Sequence, residues 1–181
     1  ALLTPILAAM LPEADMIERG IVVLDIPTAQ LIKLAEGDDR WQAFDGQRER
    51  LKDARLIIAL LNDNEDPDEA GGGMHWSAVA MRQENWHNGV FTLEHYDPSL
   101  AEINAAAAAM FARGLAELLS ELRDQEVDQV YVRRVPASVQ HNADVCGLTS
   151  LCYAAAIAFD LAPERASAPA GGAWRKESRG Q

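Results

Sequence analysis

The sequence contains little cysteine: among its 181 residues, only Cys146 and Cys152 carry thiols. They lie six positions apart in a segment predicted to form one helix, and residues at that spacing point about 240° away from each other. We therefore expect no disulfide between them. Free thiols are typical of a reducing compartment, which makes the cytoplasm or the nucleus the expected location.

Basic residues are also scarce, with 16 lysines and arginines against 28 aspartates and glutamates. The net charge is −12 and the isoelectric point is near 4.7. Proteins that bind DNA or RNA neutralise phosphates with basic residues, so a nucleic-acid partner is not expected. An acidic surface suits a partner with a basic face, although solubility alone explains it equally well.

No stretch of the chain reaches the roughly 18 uncharged apolar residues that a membrane-spanning helix needs, so no membrane partner is expected. Residues 1–11 are apolar, but Pro5 interrupts them and no basic residue precedes them, which makes a poor signal peptide. The chain does not start with methionine, so we expect a processed product or part of a longer chain. Its composition, 49% apolar and 24% charged, is typical of a single globular domain, here residues 1–181.

Hydrophobic periodicity and turn signals predict an α+β domain. Thr28 is the expected N-cap of the first helix, and Ser99 with Glu102 forms the capping box expected at the start of the longest helix. Residues 62–73 form an acidic loop that ends in three glycines, and we interpret it as solvated because its acids do not match a calcium loop. The predicted strands cover residues 20–27, 55–61, 75–82, 90–96 and 127–135, and the predicted helices cover residues 28–36, 99–123 and 146–161.

The strands at 75–82 and 90–96 place a histidine and an aspartate at one end of a predicted hairpin. Paired residue numbers in an antiparallel hairpin have a constant sum, and a loop centred near Trp86 gives 172, the sum of 75 and 97. His75 is therefore expected directly opposite Asp97, with the two Cβ atoms about 4.5–5.5 Å apart. At that distance a carboxylate can orient an imidazole for acid–base chemistry.

Cys146 supplies a candidate nucleophile at the start of the last predicted helix. The helix dipole and free backbone N–H groups there favour a thiolate, and a neighbouring protonated histidine favours it further. Gln140 lies six residues upstream, where its side-chain amide could donate to an oxyanion together with the Cys146 backbone N–H. Cys152 has apolar helical neighbours and is interpreted as a small buried hydrophobe. The four histidines and two cysteines show no zinc-ligand spacing, so no metal is expected.

The order His-Trp-Ser, then Tyr-Asp, then Gln-x5-Cys-Gly resembles that of the ubiquitin-like-protein-specific (SUMO/sentrin) cysteine proteases, a group that includes the adenovirus-type proteases. The resemblance runs from about residue 55 to about residue 159. The local text is closest to the deneddylase branch, in the segments LLNDN (60–64), GGGMHWS (71–77), HYDPS (95–99) and VQHNADVCG (139–147).

This resemblance implies a papain-like fold of the adenovirus-protease type, in which helices flank a mixed sheet and the nucleophile lies at a helix N-terminus. It also implies four catalytic residues: His75 as general base, Asp97 as its orienting acid, Cys146 as nucleophile and Gln140 as oxyanion-hole donor.

The resemblance further implies a substrate. Trp76 would line a narrow tunnel that admits the slim Gly-Gly tail of a modifier and rejects bulkier side chains. Asn142 matches a polar, substrate-binding loop position of the deneddylase branch. The implied activity is cleavage after the C-terminal Gly-Gly of a Nedd-type modifier, SUMO or ubiquitin. The implied enzyme is a monomer that needs no cofactor, and it would act in host cytosol if the chain is a secreted effector.

Two departures from the family pattern keep other functions open. Val145 replaces the aspartate that usually precedes the nucleophile, which leaves a catalytically degenerate, modifier-binding pseudo-protease as one alternative. No Trp-Leu-Asn or Trp-Leu-Asp motif is present, so the N-terminal segment that carries it in the family is either missing or divergent. Because that motif helps to hold the modifier, the second alternative is an effector-type acyltransferase that uses the same His-acid-Cys arrangement to transfer acetyl groups from coenzyme A.

Overall fold

The computed structural model describes residues 9, 12–35, 46–66, 72–99, 101, 103–136 and 145–161. The helices are α1 (Glu13–Glu18), α2 (Ile26–Leu34), α3 (Arg48–Lys52), α4 (Ala105–Arg123) and α5 (Cys146–Ala158). The strands are β1 (Ile21–Val23), β2 (Leu56–Asn62), β3 (Trp76–Arg82), β4 (Trp86–His87), β5 (Val90–Tyr96) and β6 (Gln129–Arg134). A 3-10 turn, Gln83–Asn85, lies between β3 and β4.

The six strands form one mixed sheet in the order β1-β2-β3-β5-β4, and β6 pairs with β5. β1 is parallel to β2 and β6 is parallel to β5, whereas the other neighbouring pairs are antiparallel. β6 follows one edge of β5 over residues 90–95, so β3 and β4 share the other edge.

Helices cover both faces of the sheet, and each face has its own hydrophobic core. One core packs the sheet against α2 and α4, and the other packs it against α5. β2 is apolar without interruption because its alternate residues enter opposite cores. Leu56, Ile58 and Leu60 belong to the core beneath α5, and Ile57, Ala59 and Leu61 belong to the core beneath α2 and α4. The α+β fold predicted from the sequence, a mixed sheet flanked by helices, is confirmed.

The longest helix, α4, connects the parallel strands β5 and β6. Such a connection must cross from one end of the sheet to the other, which a tight turn cannot do. The apolar stripe of α4 enters the core, where Phe111, Leu115 and Leu118 are fully buried. Among the described residues, no helix combines the length and the apolar character needed to cross a membrane.

The predicted start of the first long helix is wrong. α2 begins at Ile26, and its N-cap is Asp25, whose carboxylate accepts the Thr28 N–H at 2.7 Å. Thr28 is therefore inside the helix instead of capping it. Pro27 fits the first turn because the N–H that proline lacks has no helical partner there. The strand predicted at residues 20–27 is shortened to β1 as a result.

The capping box predicted for the longest helix is also wrong, because α4 begins at Ala105 and not at Ser99. Asn104 is the N-cap, yet its side chain makes no capping hydrogen bond. Ser99 instead closes a local turn, in which its hydroxyl oxygen accepts the Ala101 N–H at 3.1 Å. Its predicted partner Glu102 lies outside the described residues. The backbone N–H groups of Ser99 and Asn104 donate to the Asp97 side chain, and these hydrogen bonds hold the segment before α4 in a non-helical conformation.

Gly114 lies at a close approach of α4 to α2, because a Cβ added there would collide with the carbonyl oxygen of Ile32. We expect Gly114→Ala to destabilise the domain by roughly 1–3 kcal/mol, since the helices must separate and the gain in helix propensity is at most about 1 kcal/mol. Chemical denaturation measures this change. Gly46→Ala is the control, because nothing lies within 4 Å of a Cβ at that position. An unchanged midpoint for Gly114→Ala would contradict the close packing of the two helices.

Candidate active site

His75 and Asp97 form a buried pair. Nε2 of His75 lies 2.6 Å from Oδ1 of Asp97, whose side chain is wholly shielded from solvent. An ionised carboxylate can only accept, so Nε2 carries the imidazole proton and Nδ1 keeps a free lone pair. A general base needs this tautomer when an acid orients its other nitrogen. The structure thus brings together the two residues that the sequence analysis paired.

The pair meets in a different register from the one predicted. β3 and β5 pair so that residue numbers add to 174, as in Ala78 with Tyr96. Continued by one step, this register places Asp97 opposite Ser77, so the predicted direct opposition of His75 and Asp97 is wrong. The connection is longer than a simple hairpin loop because it holds a 3-10 turn and β4. A shift of two residues keeps both side chains on one face, and diagonal neighbours remain within reach.

The chain that follows Asp97 holds its carboxylate in place. Oδ1 accepts the Ser99 N–H at 2.7 Å, and Oδ2 accepts the Asn104 N–H at 3.3 Å. Together with His75, these donors use both carboxylate oxygens. The orientation of the carboxylate toward the imidazole is therefore fixed by the backbone that leads into α4.

Asn104 is a site residue that the sequence analysis missed. Its fully buried Nδ2 donates to the carbonyl oxygens of Leu61 and His75, at 3.2 and 3.3 Å, and to Oγ of Ser77 at 3.0 Å. The same residue therefore binds the Asp97 carboxylate through its backbone and the backbone of the histidine through its side chain. A signal was present in the sequence, since asparagine directly before a helical alanine run is a favoured N-cap residue.

Cys146 approaches the pair as the first residue of α5. Its Sγ lies 3.7 Å from the carbonyl oxygen of Met74, the residue before His75. One helical turn later, Oγ of Ser150 donates to the carbonyl oxygen of Trp76 at 2.9 Å. Four residues of helix advance about 6 Å and two residues of strand about 6.5 Å, so α5 and the start of β3 stay in step. This register brings Cys146 to the backbone of the segment that carries His75.

The surroundings of Cys146 suit a nucleophile. At the first position of a 13-residue helix, the helix dipole favours an anion. Val145 precedes it as N-cap and makes no side-chain capping hydrogen bond. Both cysteines are free, as expected from their spacing. Burial raises the pKa of the Cys152 thiol, so little of that thiol is ionised at neutral pH.

The remaining predicted site residues are distributed differently. Trp76 begins β3 and packs, partly buried, against the core beneath α5. Its position beside the histidine is compatible with the predicted tunnel, and the tunnel stays a prediction. Gln140 and Asn142 lie outside the described residues. Within the described ranges, no group of three or more His, Cys, Asp or Glu side chains is arranged to hold a metal ion.

Comparison with known sequences finds relatives of one kind. No family model matches the chain. It is 26% identical over 115 residues to Sentrin-specific protease 8 of Rattus norvegicus, which covers 64% of this chain and 48% of the relative. It is 27% identical over 107 residues to Sentrin-specific protease 8 of Homo sapiens, which covers 59% of this chain and 45% of the relative. The chain thus spans about half the length of the curated relatives that it matches.

Comparison with solved structures finds proteins of similar fold. The structure of the Xanthomonas campestris effector protein XopD bound to ubiquitin matches with a TM-score of 0.56 and 18% identity, over 87% of this chain and 70% of that chain. A cysteine-to-alanine mutant of Xanthomonas XopD matches with a TM-score of 0.51 and 17% identity, over 87% of this chain and 76% of that chain. At these identities the match concerns the fold.

The chain shares its fold with the XopD structures, and this agrees with the papain-like fold of the adenovirus-protease type that the sequence analysis expected: a mixed sheet flanked by helices. The resemblance to the ubiquitin-like-protein-specific (SUMO/sentrin) cysteine proteases, first drawn from the order of the His-Trp-Ser, Tyr-Asp and Gln-x5-Cys-Gly motifs, is confirmed by the curated relatives. The relatives named here are proteases.

Proposed function

We propose that this chain is a thiol peptidase that cleaves after the C-terminal Gly-Gly of a ubiquitin-like modifier, either from a precursor or from a conjugate. The observation that carries the proposal is the buried His75–Asp97 hydrogen bond of 2.6 Å. The residue before His75, Met74, contacts the Cys146 thiol through its carbonyl oxygen. A thiol, an imidazole in the correct tautomer and an orienting carboxylate are the parts that acyl transfer by a cysteine requires.

The reaction begins when Nδ1 of His75 takes the proton of Cys146. The thiolate attacks the carbonyl carbon of the terminal glycine, and the resulting oxyanion accepts the Cys146 backbone N–H and, in this proposal, the Gln140 side-chain amide. The C–N bond then breaks, and the imidazolium gives its proton to the departing amine. The modifier is left bound to Cys146 as a thioester.

Water completes the cycle. His75 removes a proton from the water molecule as it attacks the thioester carbonyl, the C–S bond breaks, and the imidazolium returns its proton to the departing sulfur of Cys146. The modifier leaves with a carboxyl group that loses its proton to solvent. Asp97 stays ionised throughout and stabilises the imidazolium that forms in each half of the reaction. In this proposal no step is assigned to a metal or cofactor, because the nucleophile, base and orienting acid are all side chains of this chain.

In this proposal the enzyme recognises its substrate by the C-terminal tail of the modifier. Trp76 follows the histidine directly and would wall the passage for two glycines, with Asn142 as a second substrate contact. The relatives named for sentrin and the neighbour bound to ubiquitin support a ubiquitin-like partner. We propose a Nedd-type modifier first, on the four deneddylase-like segments, followed by SUMO and ubiquitin. The two free thiols support action in a reducing compartment.

Fluorogenic modifier substrates test this proposal. A Nedd-type modifier, SUMO and ubiquitin, each with a C-terminal coumarin amide, are incubated separately with the wild-type chain and with Cys152→Ala as a thiol control. We expect release of coumarin from at least one modifier, with equal rates for the wild type and the control. Tight binding of a modifier without release would support the pseudo-protease instead. Labelling by acetyl-coenzyme A with no peptidase activity would support the acyltransferase.

A further inference from the structure

Asp63, in the loop after β2, binds the backbone immediately before the candidate base. A single oxygen of its carboxylate, Oδ1, accepts the Met74 N–H at 2.7 Å and the His75 N–H at 3.1 Å. Burial alone would raise the pKa of this carboxyl, but the N–H groups of His75 and Met74 outweigh it and hold the pKa below its usual value. The carboxylate is therefore ionised at neutral pH and remains a full acceptor for both amides.

Gly73 fits this arrangement through its missing side chain. Its φ of +86° lies in the region that favours glycine, and an added Cβ would collide with Oδ1 of Asp63. The same Cβ would lie 3.2 Å from the backbone nitrogen of Asn64. The chain thus passes so closely over the carboxylate that only glycine fits. This close approach explains why the last residue of the run GGG is a glycine.

The loop that carries Asp63 is itself anchored by α2. Nζ of Lys33 donates to the carbonyl oxygens of Asn62 and Asn64, at 3.0 and 2.5 Å. Nε2 of Gln30 donates to the carbonyl oxygens of Asn64 and Asp66, at 3.0 and 2.9 Å. Lys33 is 5% exposed, and burial lowers the pKa of its ammonium although Asp63 and Glu65 oppose that shift. Residues on both sides of Asp63 are therefore fixed to the core of the domain.

The segment held by Asp63 connects the base to the nucleophile. Met74 offers its N–H to Asp63 and its carbonyl oxygen to the Cys146 thiol, which lies 3.7 Å away. His75 offers its N–H to Asp63, while its imidazole is bound to Asp97. Displacing residues 73–75 would therefore move the imidazole and the contact of the thiol at the same time.

We propose that Asp63 is a positioning residue of this site, which fixes the spacing between the His75 imidazole and the Cys146 thiol through the backbone of Met74 and His75. The inference rests on the proposed peptidase function. Its energetic basis is that catalysis by a bound, oriented group is sensitive to displacement, and a misplacement of about 1 Å can cost about 100-fold in rate.

Three variants separate the contributions of hydrogen bonding and charge. Asp63→Ala removes the acceptor. Asp63→Asn keeps an oxygen that can accept both N–H groups but removes the charge. Glu65→Ala removes an exposed negative charge two residues away and leaves the acceptor intact, so it controls for loop electrostatics.

Three measurements on the full chain, in a Cys152→Ala background, follow the effect. Hydrogen exchange reports the protection of the Met74 and His75 amides. Alkylation by iodoacetamide at neutral pH reports the reactivity of Cys146. Steady-state kinetics on the modifier substrate reports kcat and KM separately. The first two do not require that a substrate has been found.

For Asp63→Ala we expect exchange of the two amides to be about tenfold faster and alkylation of Cys146 about tenfold slower, because the segment loses its anchor. We expect kcat to fall about 100-fold with KM nearly unchanged, since the tail of the modifier still binds. Asp63→Asn should retain most of the activity and protection, and Glu65→Ala should match the background. If Asp63→Ala fails to fold, Asp63→Asn alone decides, because retained activity supports the hydrogen-bonding role.

Several outcomes would overturn the inference. Wild-type protection and alkylation in Asp63→Ala would show that the segment is held without the carboxylate. A loss in Asp63→Asn as large as that in Asp63→Ala, or an equal loss in Glu65→Ala, would assign the effect to charge and not to position. A background protein whose Cys146 reacts no faster than a thiol of the unfolded chain would overturn the proposed peptidase as well. A reactive Cys146 that ignores all three variants would overturn the positioning role alone.

Discussion

Replacing Cys146 with alanine is expected to abolish hydrolysis of the modifier substrate, with a loss in kcat of about a million-fold. The thiol is the group that forms the acyl-enzyme, and neither His75 nor Asp97 can attack in its place. The variant should still fold, because Cys146 begins α5 and the only hydrogen bond of its side chain among the described residues is the long contact with Met74. Coumarin release measured under single-turnover conditions gives the loss.

Cys152→Ala is the matched control for this prediction. Its thiol lies on the same helix, burial raises its pKa, and it makes no proposed contact with substrate. We expect its turnover to equal that of the wild type. Residual turnover by Cys146→Ala above about one part in a thousand of the wild-type rate would identify another nucleophile and contradict the proposed mechanism.

Asp97→Asn is expected to lower kcat by about a thousandfold to ten-thousandfold while leaving the fold intact. If the amide oxygen faces His75 and Ser99, the new NH₂ group opposes the N–H of Asn104 that Oδ2 now accepts. If the amide is flipped, its NH₂ group faces Nε2 and favours the tautomer whose proton lies on Nδ1. That tautomer cannot take the proton of Cys146, so either orientation damages the base.

The measurement for Asp97→Asn is kcat on the preferred modifier substrate, with KM and the unfolding midpoint determined alongside. Asp15→Asn, at an exposed position on α1, is the control for loss of one carboxylate charge and should behave as the wild type. If kcat of Asp97→Asn decreased by less than about tenfold, although the carboxylate that binds His75 has been replaced by an amide, the acid would not orient the base during turnover.

Elements with strong local signals were predicted well from the sequence. β2 follows the continuous apolar run closely, and α5 begins at Cys146 as expected, because both segments are buried and their composition reflects that burial. Asn88-Gly89, a residue pair typical of tight turns, is a local signal of the same kind, and both residues have positive φ in the structure. His75 and Asp97 were correctly paired because the side-chain alternation of strands survives an error of two residues in register.

Features that depend on tertiary contacts were not predictable in this way. The register of β3 with β5 was missed because the connection folds into a 3-10 turn and a short strand instead of a simple loop. The start of α4 was missed because Asn104 directs its side chain to the backbone of His75 and not to a helix cap. The strand register and the side-chain partners of Asn104 are set by residues distant in sequence, which local propensity does not encode. The preference of asparagine for the N-cap position was the local sign of where α4 begins.

The acidic loop after β2 shows the same limit most clearly. Its acidic composition indicated a solvated segment, because the spacing of its acids does not match that of a calcium-binding loop. In the structure, the first part of this loop is tied to Lys33 and Gln30 of α2, and Asp63 accepts two backbone N–H groups next to His75. An acid that binds amides and an acid that faces water have the same sequence signature, so only the fold distinguishes them.

Intact-mass spectrometry with modifiers that end in a propargyl amide tests the central claim most directly, because the probe reacts only with a thiol aligned on the scissile bond. A Nedd-type modifier, SUMO and ubiquitin are each incubated with the wild type and with Cys146→Ala. The account predicts that at least one probe adds its full mass once to the wild type, that peptide mapping finds the adduct on Cys146, and that Cys146→Ala gains no mass. Absence of an adduct with every modifier, or an adduct that persists in Cys146→Ala, would contradict it.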